Sequence, residues 1–345
     1  MRIGLGINYA GGFKEVAAEV ADLERAGLDI VFVPEAYSFD AVSALGYLAA
    51  STQRVHLASG IMQLYTRTPT LTAMTAAGLD YVSDGRFTLG LGASGPQVIE
   101  GFHGVAYDAP VARTREVVDI CRRVWRRERL QFDGEHYTIP LPAGRGTGLG
   151  KALKLINEPV RERIPILLAA LGRKNVELAA EIAEGWQPIF FLPERANEVW
   201  GQALATGKAN RDPALGELDV YAGPALAIGE NVEPLREFVK PHIALYIGGM
   251  GAKGRNFYHA LATSYGYGAE ADRIQQLYLA GDKDGATKAV PDDLVRDVSL
   301  IGTAGFVKER VEAFREAGVT TLNVVPIAET RADRVKLIER LRGLV

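Results

Sequence analysis

The chain has 345 residues, 48% of them apolar and 23% charged, with a formal net charge of -3 at pH 7. That balance supports a sizeable globular core. It supplies neither the basic footprint of a nucleic-acid binder nor an apolar run long enough for a membrane span.

Short apolar runs alternate with amphipathic helical patterns along the chain. The opening MRIGLGINYAGG lacks the apolar core of a secretory signal, so a cytoplasmic protein is expected. Residues 2–8 form the first predicted strand, and FKEVAAEVADLERAG the first helix. Strands follow at 30–35, 55–61 and 86–92; IVFV in the second is apolar on consecutive residues, as in a strand buried on both faces. Cys121, the only cysteine, excludes an internal disulfide, and in VVDICRRVW it has the helical spacing of a buried structural thiol. Residues 130–159, rich in Gly and Pro, precede strands at 164–169 and 185–190, which flank the helix RKNVELAAEIAEG. Strands at 220–228 and 320–325 complete a set of eight, and TRADRVKLIERLRGL closes the chain. Between these last two strands, residues 229–297 contain several short helical patterns ahead of a helix at 304–317. So long a connection is expected to be a helical excursion over one face. Strict β-then-α alternation through eight units predicts an α/β fold, a closed parallel (β/α)8 barrel with insertions, as one domain spanning 1–345.

Within RFTLGLGASGP, Gly90, Gly92 and Gly95 spell the G-x-G-x-x-G of dinucleotide-binding folds. That motif requires an amphipathic helix straight after the glycines. Here PQVIEGFHGVAYDAP follows, with two more glycines, a second proline and no helical apolar spacing until after Pro110. The glycines therefore mark the open end of a barrel strand where a flat ring approaches the backbone.

Chemistry in such a barrel sits at the C-terminal strand ends. Those ends carry Asn8 and Tyr9; Glu35 and Tyr37; Gly60, Ile61, Met62 and Gln63; Gly92 to Gln97; Ala169 to Asn175; and Trp186 to Phe191. This apolar and aromatic set with a few polar groups suits a flat heteroaromatic ligand. The five histidines are scattered without metal-ligand spacing, so no metal site is expected. Leu171, Gly172, Arg173, Lys174 and Asn175 open a helix, where free N–H groups, the macrodipole and two cations would hold a phosphate.

VFVPEAY, LASGIMQLYTRTPT, RFTLGLGASGPQVIEGF, ARTREVVDICRRVW and AEIAEGWQPIFF occur in this order. Together they resemble the luciferase-like monooxygenase superfamily, and within it the actinobacterial coenzyme F420-dependent oxidoreductases. YIGGMGAKGRNFYHAL in the late excursion is similar to the same branch. The resemblance implies a (β/α)8 barrel with F420, or alternatively FMN, at the C-terminal mouth. It implies a non-proline cis peptide at Gly60–Ile61, with Met62 beside it, behind the ring. Gly92, Ala93, Ser94 and Gly95 would line the ring edge, Leu171 to Asn175 would take the phosphate, and Trp186 would flank the cofactor. Glu35 matches an acid that contacts the deazaflavin's polar edge. His103, with Tyr9, Tyr37 and Tyr65, is a candidate proton donor. The sugar-phosphate and alcohol dehydrogenases of this branch carry a histidine and a tryptophan where this chain has Ala36 and Asp40, and their fourth-strand glutamate is replaced around Gly95 and Pro96. The implied activity is thus hydride transfer to or from another small organic substrate. Oxygen chemistry on reduced FMN is the alternative, and a homodimer or larger homo-oligomer is the expected assembly.

Overall fold

The computed structural model describes residues 1–7, 12–251 and 254–345. Eight strands alternate with eight principal helices: β1 (Arg2–Gly6), α1 (Phe13–Arg25), β2 (Ile30–Val33), α2 (Ala41–Ser51), β3 (His56–Ser59), α3 (Pro69–Val82), β4 (Phe87–Gly92) and α4 (Pro110–Trp125) make the first half. The second half is β5 (Ile166–Ala169), α5 (Arg173–Ile182), β6 (Gly185–Gln187), α6 (Pro193–Ala209), β7 (Asp219–Ala222), α7 (Ala304–Glu316), β8 (Thr321–Pro326) and α8 (Arg331–Arg342). Each strand pairs in parallel with the next. β8 returns to β1 with Ile3 opposite Leu322 and Gly4 opposite Asn323, closing the barrel.

Period-2 alternation divides the apolar residues between two cores. Ile3, Leu5, Val31, Leu57, Leu89 and Leu322 join the large layer between strands and helices. Ile30, Phe32, Ala58, Leu167 and Tyr221 form a small core along the barrel axis. Arg2 closes the N-terminal end beneath it, donating to Asp219 at 2.7 Å, to the Tyr221 hydroxyl at 3.0 Å and to Thr321 Oγ1 at 3.1 Å.

Prolines set several strand limits differently from the sequence expectation, because proline donates no ladder hydrogen bond. β2 stops before Pro34 and β5 starts after Pro165. The expected strand at 220–228 is broken at Gly223–Pro224 into β7 and Ala225–Ile228, although both halves keep one register on β8. A strand that the sequence reading missed, Leu300–Gly302, pairs with Ala225–Ile228. Residues 130–159 include the small hairpin of Phe132–Asp133 and Thr138–Ile139. The late excursion contains the helices Lys240–Gly249, Phe257–Ser264, Gly268–Leu279, Lys283–Lys288 and Asp292–Asp297. Among the described residues no helix is long and apolar enough to cross a membrane.

Candidate active site

Because the eight strands are parallel, their C-terminal ends and following loops share one rim. Small residues make its floor near β3 and β4. A Cβ on Gly90 would stand 1.9 Å from the Ser59 carbonyl oxygen, and Ser59 Oγ accepts from the Gly90 N–H at 2.9 Å. A Cβ on Gly92 would come within 2.8 Å of Ile61 Cδ1. The Gly60–Ile61 peptide is cis, and beyond it Met62 and Gln63 pair with Leu91 and Gly92. Gly95 only precedes the single turn Pro96–Ile99. The G-x-G-x-x-G glycines thus serve close strand packing and a loop, not a dinucleotide crossover.

Glu35 lies just past β2 with a side chain only 7% exposed. Its Oε1 accepts from Arg67 Nη1 at 2.6 Å and its Oε2 from Arg67 Nη2 at 2.8 Å. Oε2 also accepts from the Ala41 N–H at 3.0 Å. Arg67 reaches Asp40 as well, at 2.5 Å, while Asp40 Oδ1 caps α2 by accepting from the Val42 N–H. Hydrogen bonding to Glu35 raises the guanidinium further above its ordinary pKa. The carboxylate expected at a ring edge is therefore held by a neighbouring arginine that sequence reasoning passed over. Its signal, LYTRTPT, was visible only as part of a resemblance.

In the loop after β4, Ser94 has a left-handed backbone, φ 59°. Its carbonyl accepts from the Tyr107 hydroxyl at 3.4 Å, and the Tyr107 ring lies 5.2 Å from that of Tyr65. His103 packs edge-on against Phe102, which in turn lies beside the exposed Tyr37. His103 Nε2 is buried without a hydrogen-bond partner among the described residues. The buried amide oxygens Gln63 Oε1, Gln187 Oε1 and Asn323 Oδ1 are likewise unpartnered. Gln63 and Asn323 are 2% and 9% exposed, so solvent does not readily supply the missing donors. Sequence reasoning placed Gln187 among the strand ends without a role of its own and passed over Asn323.

Leu171 leads into Gly172, the N-cap of α5, and no side chain caps this helix among the described residues. The N–H groups of Asn175 and Val176 turn back to the Gly172 carbonyl, whereas those of Arg173 and Lys174 stand at the uncapped start. Both of those side chains are exposed, with Lys174 3.6 Å from Glu177. Trp186 was expected beside the cofactor but is 1% exposed, in the core behind this loop. Its indole N–H donates to the Ala170 carbonyl at 2.9 Å, and Trp200 does the same to Leu171 at 3.1 Å. Alternation explains the difference: Gly185 and Gln187 turn to the barrel axis, so Trp186 turns to the helices. Ala93 sits between Gly92 and Ser94 on the same rim. Asn8 and Tyr9 lie outside the described residues.

A closed parallel barrel whose loops and an uncapped helix start share the C-terminal rim is the architecture in which barrel enzymes carry their active sites. The luciferase-like monooxygenase family matches residues 1–321, and the chain belongs to that family. A Mycobacterium tuberculosis protein provisionally named as a coenzyme F420-dependent oxidoreductase is 42% identical over 330 residues, 94% of each chain. The 5,10-methylenetetrahydromethanopterin reductase of Archaeoglobus fulgidus is 26% identical over 337 residues, 96% of each chain. Among solved structures, the coenzyme F420-dependent tetrahydromethanopterin reductase of Methanopyrus kandleri superposes with a TM-score of 0.82 at 20% identity, over 100% of this chain and 99% of that one.

Proposed function

We propose that this protein is a coenzyme F420-dependent oxidoreductase that moves a hydride between the deazaflavin and a small organic substrate. The observation that carries the reading is the sharing of one rim by the Gly60–Gly92 floor and the uncapped start of α5. Likeness to F420-dependent relatives selects the deazaflavin over FMN. The residues present fit such a group: the N-terminal turn of α5 offers free donors to phosphate, and buried amide oxygens near the rim lack donors among the described residues. When bound, the deazaflavin supplies a ring carbon that gives or accepts the hydride.

The remaining roles belong to the chain. Gly172, Arg173, Lys174 and Asn175 hold the phosphate, with Leu171 fixed behind them by Trp200 and the preceding turn by Trp186. Gly60 and Ile61 support one face of the ring, Met62, expected beside it, is fully buried in the layer between strands and helices and backs them from behind, and Gly92, Ala93, Ser94 and Gly95 line the ring's edge. Glu35 acts through Arg67, tying the loop after β2 to the loop after β3. His103, whose Nε2 is buried and unpartnered, is the candidate to hold the substrate's proton.

Parallel titrations of the protein with F420 and FMN test this reading. F420 fluorescence is expected to be quenched on binding, with an affinity at least about tenfold above that for FMN. Tight FMN binding with no F420 affinity would reverse the cofactor assignment, and oxygen consumption with reduced FMN would identify a monooxygenase.

A further inference from the structure

Asn323 on β8 faces the barrel axis. Its neighbours Leu322 and Val324 join the outer layer, so it shares the inner face with Thr321, which Arg2 reaches across the axis, and with Val325. Asn323 is 9% exposed, and its amide oxygen has no hydrogen-bond partner among the described residues. Below it the Phe32 and Tyr221 rings meet edge to face at 5.8 Å and close the axis. Above it the axis is open. Val325 is 55% exposed although it faces the inside of a closed barrel. A Cβ on Gly6, turned inward between Leu5 and Ile7, would meet nothing within 4 Å; one on Gly223 would meet only the Asn323 carbonyl oxygen, at 3.4 Å. These residues bound a shaft that opens on the C-terminal rim. We propose that Asn323 reads the cyclic imide edge of the deazaflavin, accepting from its ring N–H, and so fixes which way round the ring enters the barrel. The inference rests on the oxidoreductase reading for the identity of the ring.

Three observations support it. The buried amide oxygens without partners among the described residues, on Gln63, Gln187 and Asn323, all lie at positions that alternation turns to this axis, since Met62, Trp186 and Leu322 before them lie in the outer layer. A buried amide oxygen without a donor destabilises the fold, so three on one inner face call for donors brought from outside. The chemistry is also complementary. A cyclic imide sets one N–H between two carbonyls, and a side-chain amide carries the matching acceptor and donors; a half-turn of its last bond exchanges the two ends. Finally, Glu35, the acid expected at the ring's polar edge, is already occupied by Arg67 and the Ala41 N–H. That edge is left to another residue, and Asn323 stands at the bottom of the open shaft.

Fluorescence titration of the full chain with F420, with its riboflavin-like core and with the N3-methylated core tests the inference. Methylation blocks the imide N–H and leaves the rest of the ring as it was. The parent is expected to bind the core at least about tenfold tighter than its N3-methyl derivative. Asn323→Leu should bind F420 about tenfold more weakly and distinguish the two cores by no more than about twofold. Because leucine replaces an unsatisfied polar group by an apolar one of similar size, the ligand-free variant should unfold in urea at or above the parent's midpoint. Equal affinity of the parent for the two cores, discrimination retained in Asn323→Leu, or an unchanged F420 affinity in that variant would each overturn the inference and leave the cofactor assignment standing. Failure of F420 to bind the parent would remove the oxidoreductase reading, and the inference with it.

Discussion

Arg67 ties together the loops after β2 and β3 at the rim. Its guanidinium is 10% exposed and bridges Glu35, 7% exposed, to Asp40 at the start of α2. A buried carboxylate deprived of its cation keeps its desolvation cost without the compensating attraction. Arg67→Met is therefore expected to lower unfolding stability by about 3 kcal/mol at pH 7, read from urea denaturation. A loss below about 0.5 kcal/mol would mean that water replaces the arginine and that the pair is not a tie between loops.

At the scale of elements, two helix ends carry testable consequences. The uncapped start of α5 presents Arg173 and Lys174 in solvent, where each cation adds a modest increment to what the backbone donors supply. The double change Arg173→Ser, Lys174→Ser is expected to weaken F420 binding about tenfold at low salt and to flatten its salt dependence, with stability nearly unaltered. An unchanged affinity would move the phosphate elsewhere. Near the end of α1, Glu24 takes hydrogen bonds from the N–H groups of Gln53 at 3.0 Å, Arg54 at 2.5 Å and Val55 at 2.7 Å, which tie α1 to the loop before β3. Burial pushes its pKa up, but the three donors outweigh burial and hold it below the ordinary 4.5. A carboxyl whose folded pKa is depressed stabilises the fold above its unfolded pKa, and that contribution is lost as pH falls through the folded value. Glu24→Gln should thus cost about 1 kcal/mol at pH 7, with the two proteins converging in urea midpoints as the pH falls below the ordinary carboxylate range.

What the sequence disclosed follows from the same scale. β–α alternation, the strand after Arg86 and the turn into α5 were readable because local periodicity and glycine chemistry specify them. The break at Pro224 and the strand Leu300–Gly302 were not, since a three-residue apolar run has no period of its own and exists only by pairing with Ala225–Ile228. Glu35 was found as a position, but its partner lies 32 residues away, a separation that no local pattern encodes. Trp186 was legible as a residue of the β6 end, while its direction depends on which face of β6 turns inward.

Over the whole molecule the barrel has two unlike ends. At the N-terminal end Arg2, Asp219, Tyr221 and Thr321 bond across the axis, and burial, with Asp219 adding, pushes the Tyr221 phenol up to about 12 against the pull of Arg2. Arg342 of α8 reaches Asp29 and the Gly27 carbonyl beside it, bracing the seam where β1 meets β8. At the other end the unpartnered amide oxygens and the uncapped α5 leave groups that the described residues do not satisfy. Free energy from a ligand that binds only the folded state enters through these groups and raises global stability by about 2.7 kcal/mol at a concentration one hundred times its dissociation constant. Local protection, however, concentrates where contacts form. Hydrogen exchange read by mass spectrometry with saturating F420 is expected to slow in residues 35–41, 60–67, 92–97 and 171–176, over and above any uniform change. Residues 26–30, 219–221 and 320–322 at the sealed end should keep their relative rates. Protection centred on the sealed end would place the ligand beneath Arg2 and remove the physical basis for assigning the mouth to a cofactor.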